Sequence, residues 1–463
     1  MNAIIFTSVW GVIMMLGGAF IKNKSTPKYM AIAGLVLALG ANMWELRSGI
    51  PFFAIDVKDM LQSNSFNLTF ITVALVCTLI FFLLNGRDIE KVGNHVSEYF
   101  ALIFFVLCGV CIVATFNTLL MLFLGIEIMS IPLYILTGSD KQNLKSNEAA
   151  LKYFLMGAFS TGIMLMGIAF IYGGNVMASF FINSINIGQG PMPPMIAVGL
   201  VLLLVSMSFK VSAAPFHFWT PDVYDGAPTV FTSFMSTIVK IAGFFAFVRL
   251  FENAFGSVQD QWQKLIVILT AATLLIGNLT AVFQQSVKRM LAYSSIAQAG
   301  FMLLAVFALN SNAKEGLILY SAAYSLAGIG IFAILIKMKD YTIEGFNGLA
   351  RQQPLLAAVA TVFLLSLTGI PLTAGFQAKF YMLVAAVRTE HNIWLVILAV
   401  LCAAISAYYY FRIIQAMYFK ESNERVTHEW DITNGFKIML VITALLILVL
   451  GLYPQLLINW IYY

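Results

Sequence analysis

The stretch MIAVGLVLLLVSM at 195–207 continues directly into SFKVSAAPFHFWTPD at 208–222. Apolar runs of this kind are typical of helices that span a bilayer, which need about 20 such residues. Here the apolar run is followed by Lys210, Pro215 and Pro221. Proline removes one helical hydrogen bond and blocks another, so the helix is expected to break. Backbone freed at membrane depth is tolerated only where protein or trapped water satisfies it. The stretch therefore predicts a broken membrane helix with a hydrated break beside Lys210.

The composition of the whole chain agrees with this local pattern. Of 463 residues, 60% are hydrophobic and 10% are charged, and the mean hydropathy is +0.89. A soluble protein of this size cannot hide so much apolar surface in one core, and β-barrels show alternating rather than continuous apolar runs. The chain is predicted to be an all-α polytopic membrane protein. The N-terminal stretch MNAIIFTSVWGVIMMLGGAFIKNK lacks a basic n-region and a cleavage site, which indicates a first spanning helix and not a signal peptide.

Helix-length apolar segments recur along the chain and predict about fourteen spans. Their expected positions are roughly 3–21, 29–45, 66–85, 97–115, 117–137, 149–172, 195–215, 228–250, 264–284, 289–309, 314–337, 354–387, 393–418 and 434–453. The twelfth contains GIPLTAG at 369–375, which predicts a second broken helix. The two broken spans lie five apart in opposite orientations, as inverted five-helix repeats of spans 4–8 and 9–13 would give.

The chain is expected to form one integral membrane domain over 1–463. Its predicted parts are three N-terminal helices in 1–96, a first repeat in 97–250, a second repeat in 264–418 and a C-terminal helix in 434–453. If both termini face outside, sixteen of the 26 Lys and Arg fall on inner loops and six on outer loops. This positive-inside bias predicts outward-facing termini and places the loop 420–433 inside.

Five charged side chains remain inside the predicted spans: Glu127, Lys152, Lys210, Lys240 and Lys379. A charge at the centre of a bilayer costs roughly 3 kcal/mol or more, so such residues normally face the protein interior and serve a function there. Glu127 lies in the middle of LLMLFLGIEIMSIPLYIL at 119–136, too far from either end to snorkel. A purely structural ion pair is the alternative for this carboxylate.

Lys152 and Lys240 carry signals of different strength. Lys152 lies near a helix start, four residues after Glu148, so an interfacial ion pair is an alternative to a buried role. Lys240 ends a polar stripe with the spacing of one helical face, formed with Thr229, Ser233 and Ser236. Hydroxyl stripes often join helices, but a stripe that ends in a buried lysine favours a hydrated path.

Lys210 and Lys379 both lie beside helix breaks. Burial disfavours an ammonium and a nearby carboxylate favours it. A buried lysine with a movable counter-charge such as Glu127 can therefore take up and release a proton near neutral pH. His217 lies in the break after Lys210 and is a candidate relay, because imidazole titrates near neutrality. A hydrogen-bonded loop residue is an equal alternative for His217.

The sequence gives little support for a metal, nucleotide or nucleic-acid site. All four cysteines lie in apolar runs, and CGVC at 108–111 is interpreted as two small residues one turn apart on a membrane helix. The sequence has no second Cys or His cluster for a metal site and no G-x-G-x-x-G fingerprint. The net charge of +5 is scattered, so no nucleic-acid partner is expected.

Three motifs closely resemble the subunit N family of bacterial respiratory complex I, the proton-translocating NADH–quinone oxidoreductase. This family consists of antiporter-like membrane subunits. The motifs are SFKVSAAPFHFWTPDVYDGAPT at 208–229, SVKRMLAYSSIAQAGFMLL at 286–304 and GIPLTAGFQAKF at 369–380. The resemblance extends over essentially all predicted spans. The lysine in the twelfth span, where sister subunits have glutamate, favours this family over the other antiporter-like subunits.

The resemblance implies that Glu127, Lys152, Lys210, Lys240 and Lys379 form a central hydrophilic axis that carries protons with water. It also implies that NADH, flavin, iron–sulfur clusters and quinone bind to partner subunits, which leaves this chain as a non-redox subunit of a translocase. Expected partners are other membrane-arm subunits, especially a neighbouring antiporter-like subunit and small membrane subunits, and lipids. The expected location is the bacterial inner membrane with periplasmic termini.

One position departs from the family pattern, and two other functions fit the sequence. Where the family often has a histidine in SSIAH, this chain has Gln298, which can hold water but cannot titrate. A subunit of a multisubunit cation/proton antiporter would share the same ancestry, and a non-pumping spacer would keep the same fold. The motifs favour complex I over the antiporter, and the retained buried charges argue against the spacer.

Overall fold

The computed structural model describes residues 1–21, 23–53, 57–175, 177, 179–185, 191–389, 392–421 and 432–462. The first half of the chain forms α1 (Asn2–Gly17), α2 (Thr26–Ser48), α3 (Ser65–Ile89), α4 (Val96–Thr115), α5 (Leu119–Thr137), α6 (Leu144–Gly174), α7 (Pro194–Lys210), α8 (Trp219–Gly226), α9 (Thr229–Phe234) and α10 (Lys240–Phe255). The second half forms α11 (Gln259–Val282), α12 (Val287–Ala308), α13 (Ser311–Ile336), α14 (Leu349–Gln352), α15 (Pro354–Thr368), α16 (Ala374–Val387), α17 (Ile393–Phe419), α18 (Asn434–Leu452) and α19 (Gln455–Ile458).

Every predicted span coincides with a helix, which confirms the all-α membrane fold. Among the described residues, ten helical stretches are long and apolar enough to cross a bilayer, and one of them, Thr229–Val282, contains two predicted spans. The remaining predicted spans correspond to the shorter apolar helices α1 and α7 and to the pair α15 and α16. Most of the predicted inner loop 420–433 lies outside the described residues.

Local sequence signals explain where many helices begin and end. Side-chain oxygens of Asn64, Thr118, Ser286 and Asn310 accept hydrogen bonds from backbone N–H groups in the first turns of α3, α5, α12 and α13. Such caps satisfy donors that a helix start leaves free. Gly369 ends α15 with φ of 89°, a left-handed conformation that glycine adopts without a steric penalty.

The seventh predicted span is broken, but the break differs from the prediction in one respect. α7 ends at Lys210, residues 211–218 form turns, and α8 then begins at Trp219. Pro215 lies in the turns, as expected. Pro221 does not interrupt a helix, because it lies in the first turn of α8. Backbone N–H groups in a first turn have no acceptor within the helix, so the N–H that proline lacks is not missed there.

A π-helical turn over Met235–Val239 joins α9 to α10 in one continuous helix. The sequence predicts the polar stripe that ends at Lys240 with the spacing of a regular α-helix. The wider π turn displaces Lys240 relative to Ser233 and Ser236. Such π turns occur frequently at functional sites. The turn therefore sets the direction in which Lys240 leaves the helix.

α13 lies at the centre of the molecule, and its most apolar segment is fully buried. It packs against α3, α9, α12, α15, α16 and α18. The contacts of the two halves also correspond: α4 packs on α5, α6 on α7 and α4 on α10, while α11 packs on α12, α13 on α15 and α11 on α17. These pairs agree with the predicted five-helix repeats, whose inverted relation stays a prediction.

Candidate functional site

Glu127 and Lys210 lie together at one end of a polar region between the helices. Glu127 lies midway along α5, and its Oε1 is buried without a hydrogen-bond partner among the described residues. Lys210 Nζ donates to Ser130 Oγ at 3.1 Å, one turn further along α5. The carboxylate of Glu127 also interacts electrostatically with the Lys210 ammonium. The described residues show no direct ion pair between the two, so each group keeps hydrogen-bonding capacity.

The break after α7 contains buried polar groups that lack a protein partner in the described part of the chain. His217 is 7% exposed, interacts electrostatically with Lys240, and has no hydrogen-bond partner at Nδ1 among the described residues. The buried hydroxyls of Ser208, Ser212 and Thr220 are likewise unpaired in this part of the chain. Buried polar groups in proteins are normally satisfied by protein or by water. The arrangement therefore suits hydration between Lys210 and Lys240.

Lys240 is 2% exposed and is held by α12. Its Nζ donates to both the backbone oxygen and the hydroxyl of Ser295, each at 2.9 Å. The ring of Tyr224 lies 6.0 Å from the same Nζ, at the outer limit of a cation–π contact. No carboxylate pairs with Lys240 among the described residues. This lysine is therefore stabilised by dipoles, without a fixed counter-charge.

Lys379 is also held by backbone oxygens. Its Nζ donates to the carbonyls of Leu367 and Thr368, both at 2.9 Å, at the C-terminal end of α15. The ring centroid of Phe301 lies 4.6 Å from the ammonium, within cation–π range. The C-terminus of a helix carries partial negative charge and favours a cation. The break between α15 and α16 thus creates the site that Lys379 occupies.

Gln298 lies next to Lys379 in the same network. Its Nε2 donates to Leu367 O at 2.9 Å, the carbonyl that also accepts from Lys379, and to the hydroxyl of Tyr410 at 3.3 Å. Its Oε1 accepts a hydrogen bond from the hydroxyl of Tyr320. A further hydrogen bond joins Tyr410 to Ser294, the neighbour of the Ser295 that holds Lys240. Side chains of α12 therefore bridge the surroundings of Lys240 and Lys379.

Lys152 lies apart from this network, and the expectation that it is buried is wrong for the isolated chain. Its side chain is 42% exposed and pairs with Glu148 at 2.7 Å and with Asp222 at 3.0 Å. Partial burial alone would raise the pKa of the Asp222 carboxyl, but Lys152 and Arg289 lower this pKa below its ordinary value. The i,i+4 pair with Glu148 is the interfacial arrangement considered as the alternative for Lys152.

Three further buried groups were not predicted from the sequence. Lys288 lies just before the predicted span 289–309, yet it is 4% exposed and donates to the carbonyls of Asp225 and Ala227, at the end of α8, at 2.8 and 2.7 Å. Tyr320 and Tyr410 were not singled out. Tyr320 lies one residue before Ser321, which forms a polar stripe on α13 with Tyr324 and Ser325 and could have drawn attention to it. Tyr410 carries no local signal.

The sequence of the chain is similar to those of known membrane subunits. The family described as NADH:quinone oxidoreductase/Mrp antiporter, TM matches residues 117–406. NADH-quinone oxidoreductase subunit N of Cytophaga hutchinsonii is 40% identical over 99% of this chain and 99% of its own length. Subunit N of Flavobacterium psychrophilum is 37% identical over 98% of this chain and 99% of its own length.

Solved structures of similar proteins show the same architecture. A chain of respiratory complex I from Thermus thermophilus with bound aureothin is 32% identical, with a TM-score of 0.84, over 99% of this chain and 98% of its own. A chain of the Mrp complex from Dietzia is 20% identical, with a TM-score of 0.86, over 99% of this chain and 95% of its own. The second likeness concerns the fold alone.

Proposed function

The chain belongs to the subunit N family of NADH–quinone oxidoreductase, and on this premise we propose that it carries protons along an axis from Glu127 and Lys210, through Lys240, to Lys379. It is a multi-pass membrane subunit of a proton-translocating enzyme complex, and other complex I subunits are its partners. The axis residues and the order in which protons pass them are the proposed part.

The observation that carries the proposal is the network between Lys240 and Lys379. Lys240 is bound to Ser295, its neighbour Ser294 is bound to Tyr410, and Gln298 connects Tyr410 to the carbonyl that accepts from Lys379. Hydroxyl groups both donate and accept, so they can pass a proton along together with water. The hydrogen bonds around Lys240 and those around Lys379 meet at the adjacent residues Ser294 and Ser295 of α12, an arrangement that suits transfer with bound water better than two isolated structural charges would.

The carbonyl groups around the lysines suit repeated loading and unloading. A carbonyl stabilises an ammonium through its dipole, but it leaves no buried anion behind when the lysine becomes neutral. Glu127 supplies the movable counter-charge at one end, through its interaction with Lys210. His217 is proposed as a relay between Lys210 and Lys240, supported by its burial beside the break and its unpaired Nδ1.

Several finer points belong to the same proposal. NADH, flavin, iron–sulfur clusters and quinone are proposed to bind to partner subunits, as the family resemblance implies. Both termini are proposed to face the periplasm of a bacterial cell. Lys152 would join the axis only if partner subunits cover its exposed ion pairs, because a fully hydrated lysine has no reason to release its proton near neutral pH.

Lys210→Arg and Lys210→Ala test the proposal in the assembled complex. Arginine keeps a positive charge but does not release its proton in proteins. We expect NADH-driven proton uptake into vesicles to fall about tenfold or more in both variants. Subunit content is checked in each preparation, so that a loss of assembly is not mistaken for a loss of proton uptake. Copurification of flavin and iron–sulfur subunits distinguishes complex I from a cation/proton antiporter. A fully active Lys210→Arg complex would leave Lys210 as a fixed structural charge and refute its loading role.

A further inference from the structure

A cavity of about 190 Å³ opens between α2, α3, α13 and α18, outside the proton axis. Its walls carry three basic side chains, Lys28, Arg87 and Lys337. These residues come from the start of α2 and the ends of α3 and α13, so the chain gathers them from distant parts of the sequence at one end of the helix bundle.

The cations around this cavity outnumber the nearby anions. Asp88 accepts from Lys337 at 2.7 and 2.8 Å and pairs with Lys91 at 3.5 Å, so its charge is already engaged. Glu90 interacts electrostatically with Lys28 and Arg87 but forms no ion pair with either among the described residues. Lys28 and Arg87 therefore keep free donors toward the cavity, and the local charge is positive.

The first turn of α18 adds backbone donors to the same cavity. Thr433, Gly435 and Phe436 line it, and Thr433 caps the helix by accepting from the N–H of Phe436. The N-terminus of a helix carries partial positive charge and exposes N–H groups, which suits an anionic oxygen. Around Gly435 a Cβ would meet nothing within 4 Å, so the approach to these amides is open.

The remaining wall of the cavity is apolar and is formed by residues of α3 and α18. Leu83, Leu84 and Met439 continue the cavity away from the basic rim, on the membrane-spanning parts of α3 and α18. A free phosphate ion would leave this wall uncovered. An amphiphile would place its phosphate on the cations and its acyl chain along the wall, which is how basic pockets between membrane helices hold anionic lipids.

We propose that the cavity lined by Lys28, Arg87, Lys337 and the N-terminus of α18 binds the phosphate headgroup of an anionic phospholipid. Arg87 supplies the planar fork that matches phosphate oxygens, and Lys28 and Lys337 supply point charges. The lipid would tie α2 and α3 to α13 and α18, which are far away in the sequence. This site does not depend on the proton pathway.

Two kinds of variant test the site in the assembled, delipidated complex. Lys28→Gln combined with Arg87→Gln removes two cations but leaves the ion pair between Lys337 and Asp88. Gly435→Asp places a carboxylate in the open mouth, where the helix start tolerates an acid. Gly435→Asn is the matched control of nearly equal shape without charge. Lys24→Gln, on an exposed lysine bound to Asn94 away from the cavity, is the second control.

Phosphatidylglycerol, phosphatidylcholine and inorganic phosphate serve as probes, and retained lipid is counted by mass spectrometry. We expect the unmodified complex and both controls to retain one phosphatidylglycerol more than the double variant and Gly435→Asp, which should bind it about tenfold more weakly. Phosphatidylcholine should not fill the site. Equal retention in all variants would overturn the proposal. Binding of inorganic phosphate alone, with no variant-sensitive lipid, would assign the site to a soluble anion and overturn the lipid.

Discussion

Lys240 and Lys379 are held by carbonyl and hydroxyl oxygens, whereas Lys337, at one end of the helix bundle, is paired with the buried carboxylate of Asp88. The difference matters because a buried ion pair holds its proton through a permanent charge. A carbonyl binds the charged lysine and costs little when the lysine becomes neutral. The two buried lysines are thus suited to change charge, and Lys337 is suited to hold a structure together.

Glu127→Gln removes the movable counter-charge and keeps the shape of the side chain. Two unit charges about 8 Å apart at an effective dielectric near 20 interact by roughly 2 kcal/mol, enough to change the occupancy of a buried lysine. We expect proton uptake to fall several-fold in Glu127→Gln and to stay near normal in Glu127→Asp. Glu98→Gln, on an exposed carboxylate, is the control. Equal activity of Glu127→Gln and the unmodified complex would exclude the switch.

Gln298→Leu deletes hydrogen bonds to Leu367, Tyr320 and Tyr410 at once. We expect this variant to lose about tenfold in proton uptake, because the network between Lys240 and Lys379 is interrupted. Gln298→His keeps a donor and an acceptor and should remain near normal. Gln284→Leu controls for loss of an amide, because the Gln284 side chain lies just after α11 and donates to the carbonyl of Thr280 in that helix. An indifferent Gln298→Leu variant would remove this residue from the path.

The breaks after α7 and α15 place helix C-termini next to buried lysines. Lys210 is the last residue of α7 and donates to Ser130 of α5, whereas Lys379 reaches back from α16 to the carbonyls at the end of α15. The end of α8 receives Lys288 in the same way. A continuous helix would satisfy these carbonyls internally and would offer no cation site, so the breaks create the polar interior.

Gly375→Ala should disrupt the junction of α15 and α16. A Cβ at this position would lie 1.8 Å from the backbone oxygen of Ser366, which cannot move without shifting α15. We expect a loss of stability of about 1–3 kcal/mol, the usual cost of overpacking, measured as a lower thermal transition and less assembled subunit. Gly162→Ala is the control, because nothing lies within 4 Å of its Cβ. Unchanged assembly in Gly375→Ala would contradict the tight packing described here.

Contacts between residues that are far apart in the sequence agree with spans that cross the membrane in alternating directions. On the side expected to face outward, Leu61 pairs with Phe116, Met1 with Glu45, and Thr69 with Trp460. On the opposite side, Ser286 pairs with Thr342, Lys337 with Asp88, and Lys24 with Asn94. Each pair joins segments that the predicted spans place on the same side, so a missed or extra crossing would separate them.

Cysteine accessibility tests which side is outside. The four native cysteines are buried, which keeps background labelling low. With a membrane-impermeant maleimide on cells whose outer membrane is permeabilised, we expect Ser63→Cys to react and Gln142→Cys to react only after the inner membrane is opened. Both positions are exposed, so a difference reports sidedness. The opposite pattern would invert the topology and leave the fold intact.

The sequence alone was enough to predict the membrane class, the positions of the helices, both helix breaks and four charged side chains inside apolar helices, Glu127, Lys210, Lys240 and Lys379. Those features are local, since a charge or proline within an apolar run is costly enough to be visible without a partner. The folded structure was needed to show that Lys152 is half-exposed, that Lys288 is buried, and that a π turn precedes Lys240. It alone brought Tyr320 and Tyr410 to Gln298, because hydrogen bonds between distant helices depend on packing, and packing leaves no period in the chain.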